Sequence, residues 1–196
     1  METPEQLPVS YFNTLEEYLR GKLYYGWQGA KQFDGTGERL SRAFEEFCWP
    51  SARIEEEVEK ALVADFFFEI DEQLVEGPID VYTLCPHHLL PCHFVVFIGY
   101  IPTDKVLGLS KFARAAVALG KRPVMQEMYT KELADALEKY LKPRGVGVFV
   151  IGEHGCMQAR GIKQNANVTT AVLKGALKYG LERSEFYSMV REKNCK

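Results

Sequence analysis

The chain has 196 residues, of which 46% are hydrophobic, and this is enough for one domain with a real core. Its formal net charge of −3 gives no general attraction for nucleic acid, so a highly anionic ligand would have to meet a local cluster of positive charge. No apolar run of about 18 residues occurs and the first residues do not resemble a secretory signal, so we expect no membrane span. An odd number of cysteines favours reduced thiols and metal ligands in a cytoplasmic protein over a disulfide framework.

The first part of the chain is predicted to be helical. The pattern over residues 12–49 indicates two helices, and the glycine-containing break at 34–37 separates them. Residues 54–64 form a third, amphipathic helix with an acidic outer face. We therefore assign residues 1–50 to an N-terminal helical segment and residues 51–196 to the main domain.

Runs of β-branched and aromatic residues predict the strands of the main domain. These runs are 66–68, 79–84, 94–101, 145–152 and 169–173. Gly77-Pro78 marks a turn or a bulge between the first two. Helices are predicted at 108–119, 130–141 and 184–190. This mixture of strands and interrupting helices is typical of the α+β class.

Histidine and cysteine are concentrated in residues 84–93, which hold three of the four histidines and two of the five cysteines. Cys85 and His88 have the Cys-x-x-His spacing that suits zinc. Cys156 is a third candidate ligand, because it would share a face with His154 if the preceding strand continues. Three protein ligands leave one position for water, as in a catalytic zinc site.

The histidine that adjoins each candidate ligand region, His87 in one and His154 in the other, is then free for proton transfer. An alternative interpretation stays open at this point. The cysteines can be small buried hydrophobes, and the histidines can be hydrogen-bonded residues near a proline-containing turn. Cys92 and His93 are assigned to packing rather than to metal binding.

Residues 108–111 open a predicted helix in which Ser110 can act as the N-cap. The free N–H groups of a first turn favour an anion, and Lys111 and Arg114 are neighbours on that surface. This end of the helix is therefore a candidate phosphate-binding site. The alternative is an ordinary N-cap with solvent-exposed bases.

Five segments together resemble the GTP cyclohydrolase I family. They are Cys-Pro-His-His-Leu-Leu-Pro at 85–91, Gly-Tyr-Ile-Pro at 99–102, Leu-Gly-Leu-Ser-Lys at 107–111, Gln-Glu at 126–127 and His-Gly-Cys-Met-Gln-Ala-Arg-Gly at 154–161. The resemblance implies a zinc enzyme that opens the imidazole ring of GTP, releases formate and forms dihydroneopterin triphosphate. It also implies the tunnelling fold, in which subunit sheets join into a ring. The family's usual assembly, a homodecamer, has its sites at subunit boundaries.

The resemblance also implies a role for each site residue. It makes Cys85, His88 and Cys156 the zinc ligands and His87 and His154 the acid and base. The substrate-binding residues are Ser110, Lys111, Arg114, Gln126, Glu127, Arg160 and Arg39. Among these, Glu127 would accept paired hydrogen bonds from guanine. Residues 51–196 would be the catalytic domain.

The chain departs from the family pattern at several positions, among them residues 37 and 86. Pro86 stands where the family usually has glutamate, and Gly37 stands where it usually has proline. Two rival functions stay open. One is another tunnelling-fold enzyme that acts on a pterin or a deazaguanine, and the other is a zinc-stabilised nucleotide-binding subunit without turnover.

Overall fold

The computed structural model describes residues 9–23, 33–63, 66–67, 70, 72–103 and 105–194. The helices are α1 Val9–Leu23, α2 Thr36–Phe47, α3 Ser51–Ala61, α4 Leu109–Leu119, α5 Gln126–Leu141, α6 Gly155–Gln158 and α7 Gly180–Asn194. The strands are β1 Phe66–Phe67, β2 Leu74–Leu84, β3 Pro91–Ile101, β4 Lys105–Val106, β5 Gly145–His154 and β6 Val168–Gly175. The chain forms two compact units, one that ends at Pro50 and one that begins at Ser51. The predicted structure at 24–32, Ala64 and Phe68 lies outside the described residues.

The first unit contains α1 and α2. The rings of Phe12 and Phe44 lie 5.4 Å apart between their centroids. The N–H of Gly37 donates to the Glu16 carboxylate at 2.8 Å, and a Cβ at this position would overlap the side chain of Asn13. A proline would lose this hydrogen bond and meet the same overlap. The packing of α1 on α2 therefore requires glycine at the position where the resemblance leads us to expect proline.

The second unit is built on a four-stranded antiparallel sheet with the order β2-β3-β5-β6. On one face, α4 packs against β2, and α5 packs against β5 and β6. On the other face, Phe97 and Ile101 of β3 form a buried cluster with Leu177, with Phe186 and with Val190. Helices cover both faces, and the predicted α+β class is confirmed.

Several of the predicted element boundaries change; α5, for example, begins at Gln126 and not at residue 130. β2 is one strand that starts at Leu74, with a register shift between Glu76 and Ile79, so Gly77-Pro78 lies in a bulge and not in a turn. The last helix, predicted at 184–190, extends over Gly180–Asn194. No helix within the described part of the chain combines the length and the apolar character needed to cross a membrane.

Candidate metal centre and active site

The three predicted metal ligands come together at one end of the sheet. The ligand atoms of Cys85, His88 and Cys156 all lie within 4.8 Å of one another. The sulfur of Cys85 lies 3.4 Å from Nδ1 of His88. Two thiols and an imidazole are the donor set that zinc prefers. The side chains present here therefore fit the metal that the resemblance implies.

The loop after β2 folds into a tight turn that presents two of these ligands. The N–H groups of His88 and Leu89 donate to the carbonyl of Cys85, at 3.3 and 2.8 Å. The N–H of Cys85 donates to the carbonyl of Leu90 at 2.9 Å. None of these three bonds uses the N–H of residue 86, so Pro86 is compatible with the turn although it has no N–H to donate.

Cys156 reaches the cluster by a route that differs from the prediction. β5 ends at His154 and α6 begins at Gly155, so the predicted continuation of the strand through Cys156 and Arg160 is wrong. A Cβ on Gly155 would lie 2.7 Å from the carbonyl oxygen of Pro91, so glycine allows the chain to turn here against the start of β3. Cys156 is therefore presented by a helical turn.

Arg160 acts on the cluster electrostatically. Burial, followed by the neighbouring Cys85, raises the pKa of the Cys156 thiol. The positive charge of Arg160 lowers the same pKa. Arg160 thus lies close enough to the cluster to stabilise a negative charge there.

His154 has a partner on each ring nitrogen. Its Nε2 lies 2.8 Å from Oε1 of Gln126, and its Nδ1 lies 3.5 Å from the sulfur of Cys92. Burial lowers the pKa of His154, and the nearby carboxylate of Glu127 acts in the opposite direction. His154 is therefore a neutral base near neutral pH, and Glu127 lies in its neighbourhood.

Gln126 is buried, and its polar atoms all have partners inside the protein. The side chain is 1% exposed. The two hydrogens of its amide nitrogen are shared among three acceptors, the carbonyls of Val150 and Val168, at 3.2 and 3.0 Å, and the hydroxyl oxygen of Thr170 at 3.1 Å. These contacts point to a role in holding His154, whereas its role in substrate binding stays a prediction.

The contact between Gln126 and His154 needs the space that Gly152 leaves. A Cβ on Gly152 would overlap Oε1 of Gln126, and it would lie 3.1 Å from Nε2 of His154. Neither side chain can move away without losing a hydrogen bond. Sequence reasoning did not find Gly152, because the crowding arises only when α5 packs against β5.

His87 lies at the exposed side of the cluster. Its Nδ1 is 3.9 Å from the sulfur of Cys85, and its ring lies 6.2 Å from that of His88 in an edge-on arrangement. This position next to the candidate metal ligands suits the predicted proton transfer.

Cys92 and His93 point to opposite faces of the sheet. Cys92 is buried, and burial is the main cause that raises the pKa of its thiol to about 12. The ring of His93 stacks on Tyr82 and its Nε2 lies 2.7 Å from a carboxylate oxygen of Asp80. Cys92 is the partner of His154 in the β3–β5 ladder, a relation that no local sequence pattern revealed.

The first turn of α4 has a different start from the predicted one. The N-cap is Gly108, so Ser110 is the second residue of the helix and the prediction of Ser110 as N-cap is wrong. The ammonium group of Lys111 donates to the carbonyl of Val63 at 3.0 Å. Arg114 is exposed one turn further along.

This first turn lies at the end of the sheet remote from the cluster. Phe112 packs on Tyr100, with ring centroids 5.0 Å apart. Tyr100 is eight residues along β3 from Cys92, or about 26 Å at the usual rise of a strand. Within one chain, the predicted phosphate-binding site therefore does not lie next to the metal cluster.

Arg39 belongs to the first unit. Its guanidinium donates to the carbonyl of Asp34 at 3.0 Å and to the hydroxyl of Thr36 at 2.8 Å. Both contacts are local to the start of α2. The proposed contact of Arg39 with substrate stays a prediction.

A thiol–imidazole cluster at the end of an antiparallel sheet, with acid–base side chains around it, defines an α+β enzyme with a candidate metal centre. Residues 28–191 match the family model described as GTP cyclohydrolase I. The chain therefore belongs to the GTP cyclohydrolase I family, a class of hydrolases. This membership confirms the predicted tunnelling fold for the single chain, whereas the ring-shaped assembly stays a prediction, and it does not favour the rival functions.

Curated relatives of this name cover most of the chain. GTP cyclohydrolase 1 from Aquifex aeolicus (strain VF5) is 41% identical over 158 residues, which are 80% of this chain and 83% of that protein. The protein from Bifidobacterium longum (strain DJO10A) is 39% identical over 160 residues, 81% of this chain and 79% of that one. The protein from Hydrogenobaculum sp. (strain Y04AAS1) is 36% identical over 174 residues, 84% of this chain and 96% of that one.

A similarity to a solved structure is weaker. The crystal structure of the archaeosine synthase QueF-Like in the apo form has 19% sequence identity and a TM-score of 0.45. The alignment covers 56% of this chain and 98% of that chain.

Proposed function

We propose that this protein is a GTP cyclohydrolase I, which opens the imidazole ring of GTP, releases formate and forms dihydroneopterin triphosphate. The observation that carries the proposal is the approach of the ligand atoms of Cys85, His88 and Cys156 to within 4.8 Å of one another. Proton-transfer groups adjoin this cluster, since His154 is held on β5 and His87 lies beside Cys85. Family membership alone would leave open whether this chain has kept a working site.

Cys85, His88 and Cys156 are the residues that would hold zinc. When bound, zinc supplies a Lewis acid that activates water for attack on the carbon between the two imidazole-ring nitrogens. Thiols bind zinc as thiolates, so loading competes with protons, and burial raises the pKa of Cys156. The positive charge of Arg160 lowers this pKa and so favours loading.

The protein's own side chains would handle the substrate and its protons. Glu127 would orient the guanine by accepting its N–H groups. The neutral imidazole of His154 would take a proton from the attacking water and return it to the ring nitrogen that leaves. His87, at the exposed side of the cluster, would exchange protons with solvent. Two hydrolytic steps release the carbon as formate, and reclosure of the new ring expels one water, so the net reaction uses one water.

The distance between the cluster and α4 supports a shared site. Ser110, Lys111 and Arg114 lie in the first two turns of α4, which packs on Tyr100, and Tyr100 is about 26 Å along β3 from Cys92. One GTP would therefore have to contact two copies of the chain to reach both the metal cluster and α4. We therefore propose a homo-oligomer with sites at subunit boundaries, and a decamer on the basis of the family resemblance. Arg39 would reach a neighbouring subunit's substrate in the same assembly. We also propose a cytoplasmic location, because a reducing compartment keeps zinc-binding thiols available.

The activity test is incubation of the purified, zinc-loaded protein with GTP. We expect formate and, after oxidation, a fluorescent pterin in equal amounts. The Cys156→Ala variant serves as the matched control and is expected to form neither. Zinc-loaded protein that binds GTP and releases no formate would contradict the proposed function.

The shared site has its own test, in which two inactive variants are co-expressed. Oligomers that mix Cys156→Ala with Lys111→Ala are expected to recover about a quarter of the wild-type activity, because random mixing leaves one boundary in four with both halves intact. Oligomers that mix Cys156→Ala with His154→Ala should stay inactive, since both changes affect the same half. No recovery in the first mixture would show that one chain supplies the whole site.

A further inference from the structure

Cys92 is a buried thiol beside the candidate active site that the proposed reaction does not use. It is 2% exposed and pairs directly with His154 across the β3–β5 ladder. Residues that lie directly opposite in an antiparallel pair hold their Cβ atoms about 4.5–5.5 Å apart, so the register itself brings the two side chains together. Cys92 does not belong to the group of three candidate ligands, and its sulfur lies 3.5 Å from Nδ1 of His154.

Gln126 decides which ring nitrogen of His154 carries hydrogen. Its amide nitrogen faces the carbonyl oxygens of Val150 and Val168, which only accept hydrogen bonds. The amide oxygen therefore faces His154, and because this oxygen cannot donate, Nε2 of His154 must donate to it. In a neutral imidazole the other nitrogen, Nδ1, is then an acceptor, and the atom beside it is the sulfur of Cys92.

Two threonines prevent the amide of Gln126 from turning over. The hydroxyl of Thr130 donates to the backbone carbonyl of Gln126 at 2.7 Å, so its oxygen accepts from Thr170, also at 2.7 Å. The oxygen of Thr170 in turn accepts from the amide nitrogen of Gln126. The two hydroxyl hydrogens therefore have fixed positions, and a reversed amide would place its oxygen against the carbonyls of Val150 and Val168 and against a hydroxyl whose hydrogen is already donated to Thr130.

We propose that Cys92 is a positioning residue, whose S–H donates to Nδ1 of His154 and holds the neutral imidazole in the tautomer with hydrogen on Nε2. The ring is then held between Gln126 on one side and Cys92 on the other. A thiol is a weak donor, so a stronger donor from water or substrate displaces it from Nδ1 at small cost. Cys92 thus orients the basic nitrogen without blocking it. This inference rests on the proposed function, because it assigns the positioned atom a part in that reaction.

The test compares Cys92→Ala with Cys92→Ser in zinc-loaded protein. The imidazole 15N NMR signals of His154, identified by their absence in His154→Ala, report the tautomer without any turnover. We expect one tautomer in the wild type and a mixture in Cys92→Ala, with kcat for formate release lower by about threefold to tenfold for one lost hydrogen bond. KM for GTP and zinc content should not change. Cys92→Ser should restore the single tautomer and most of the kcat, since a hydroxyl also donates.

The control variant is Cys48→Ala, which removes a thiol from the first unit and should change none of these quantities. Cys92→Val, which fills the space without a donor, replaces Cys92→Ala if the alanine variant does not fold. The proposal is wrong if Cys92→Ala keeps one tautomer and full kcat, if serine behaves like alanine, or if zinc is lost. If the wild type releases no formate from GTP, the proposed function fails, and the tautomer comparison still decides whether Cys92 holds His154.

Discussion

Replacing Gln126 by alanine distinguishes two roles for this residue. The family resemblance implies that it binds substrate, which predicts a higher KM for GTP in the variant. In the structure its side chain is buried and its polar contacts are all internal, one of them with Nε2 of His154. We therefore expect Gln126→Ala to lower stability and kcat and to leave KM within a factor of about two.

The size of the stability loss follows from four contacts. The amide oxygen accepts one hydrogen bond, and the two hydrogens of the amide nitrogen are shared among three acceptors. Three full hydrogen bonds contribute about 0.5–1.5 kcal/mol each, and the N–H of the half-buried His154 left without a partner costs about 1–3 kcal/mol. Water that enters the space left by the side chain restores part of this, so we expect a net loss of about 2–4 kcal/mol. For a chain of this length the loss corresponds to a Tm lower by about 4–16 °C.

Thermal unfolding at one fixed chain concentration and steady-state formate release measure the two effects. We expect kcat to fall by at least about tenfold because His154 loses its anchor. Gln73→Ala is the matched control, since Gln73 lies against Met189 of α7 and should affect stability without affecting kcat. An unchanged Tm together with a raised KM and a normal kcat would refute this reasoning and would show that Gln126 binds substrate.

Four further predictions follow from the same geometry. Cys156→Ala should lose zinc, since two ligands cannot complete a tetrahedral site, and full occupancy by metal analysis would contradict the ligand assignment. His154→Ala should keep zinc and bind GTP but release formate about a hundredfold more slowly; near-normal release would make it a bystander. Gly152→Ala should destabilise the protein by about 1–3 kcal/mol through overlap with Gln126, and an unchanged Tm would show that the site relaxes easily. Arg160→Ala should raise KM for GTP more than KM for guanosine, and equal effects on both substrates would separate it from the phosphates.

The residues whose chemistry is local were predicted from the sequence. Cys85 and His88 are three residues apart in one tight turn, so their spacing alone indicates that both can reach one metal ion. The apolar runs of β3 and β5 identify the central strands, because strands covered on both faces need apolar side chains on both. The acidic outer face of α3 was predicted as well, because its apolar residues recur at helical spacing and leave the glutamates on the opposite side.

Only the tertiary structure decided how Cys156 and His154 are presented. The residues after Gly152 are compatible with a continuing strand and with a helical turn, and the sequence pattern favoured the strand. The close approach of Gly155 to the carbonyl of Pro91 ends β5, and this contact exists only once β3 and β5 pair. The shared strand face that the spacing of His154 and Cys156 predicted is therefore wrong, because the strand ends between them.

The hydrogen bonds of the site and the distance between the metal cluster and α4 could likewise not be predicted from the sequence. Gln126 meets His154 because α5 packs on β5, and Cys92 meets it because the strand register aligns the two residues. Lys111 lies far from the cluster because α4 starts beside Tyr100, at the opposite end of β3. Periodicity and spacing describe neighbours within one element, whereas these relations depend on the register and packing between elements, which side chains distant in the chain determine together.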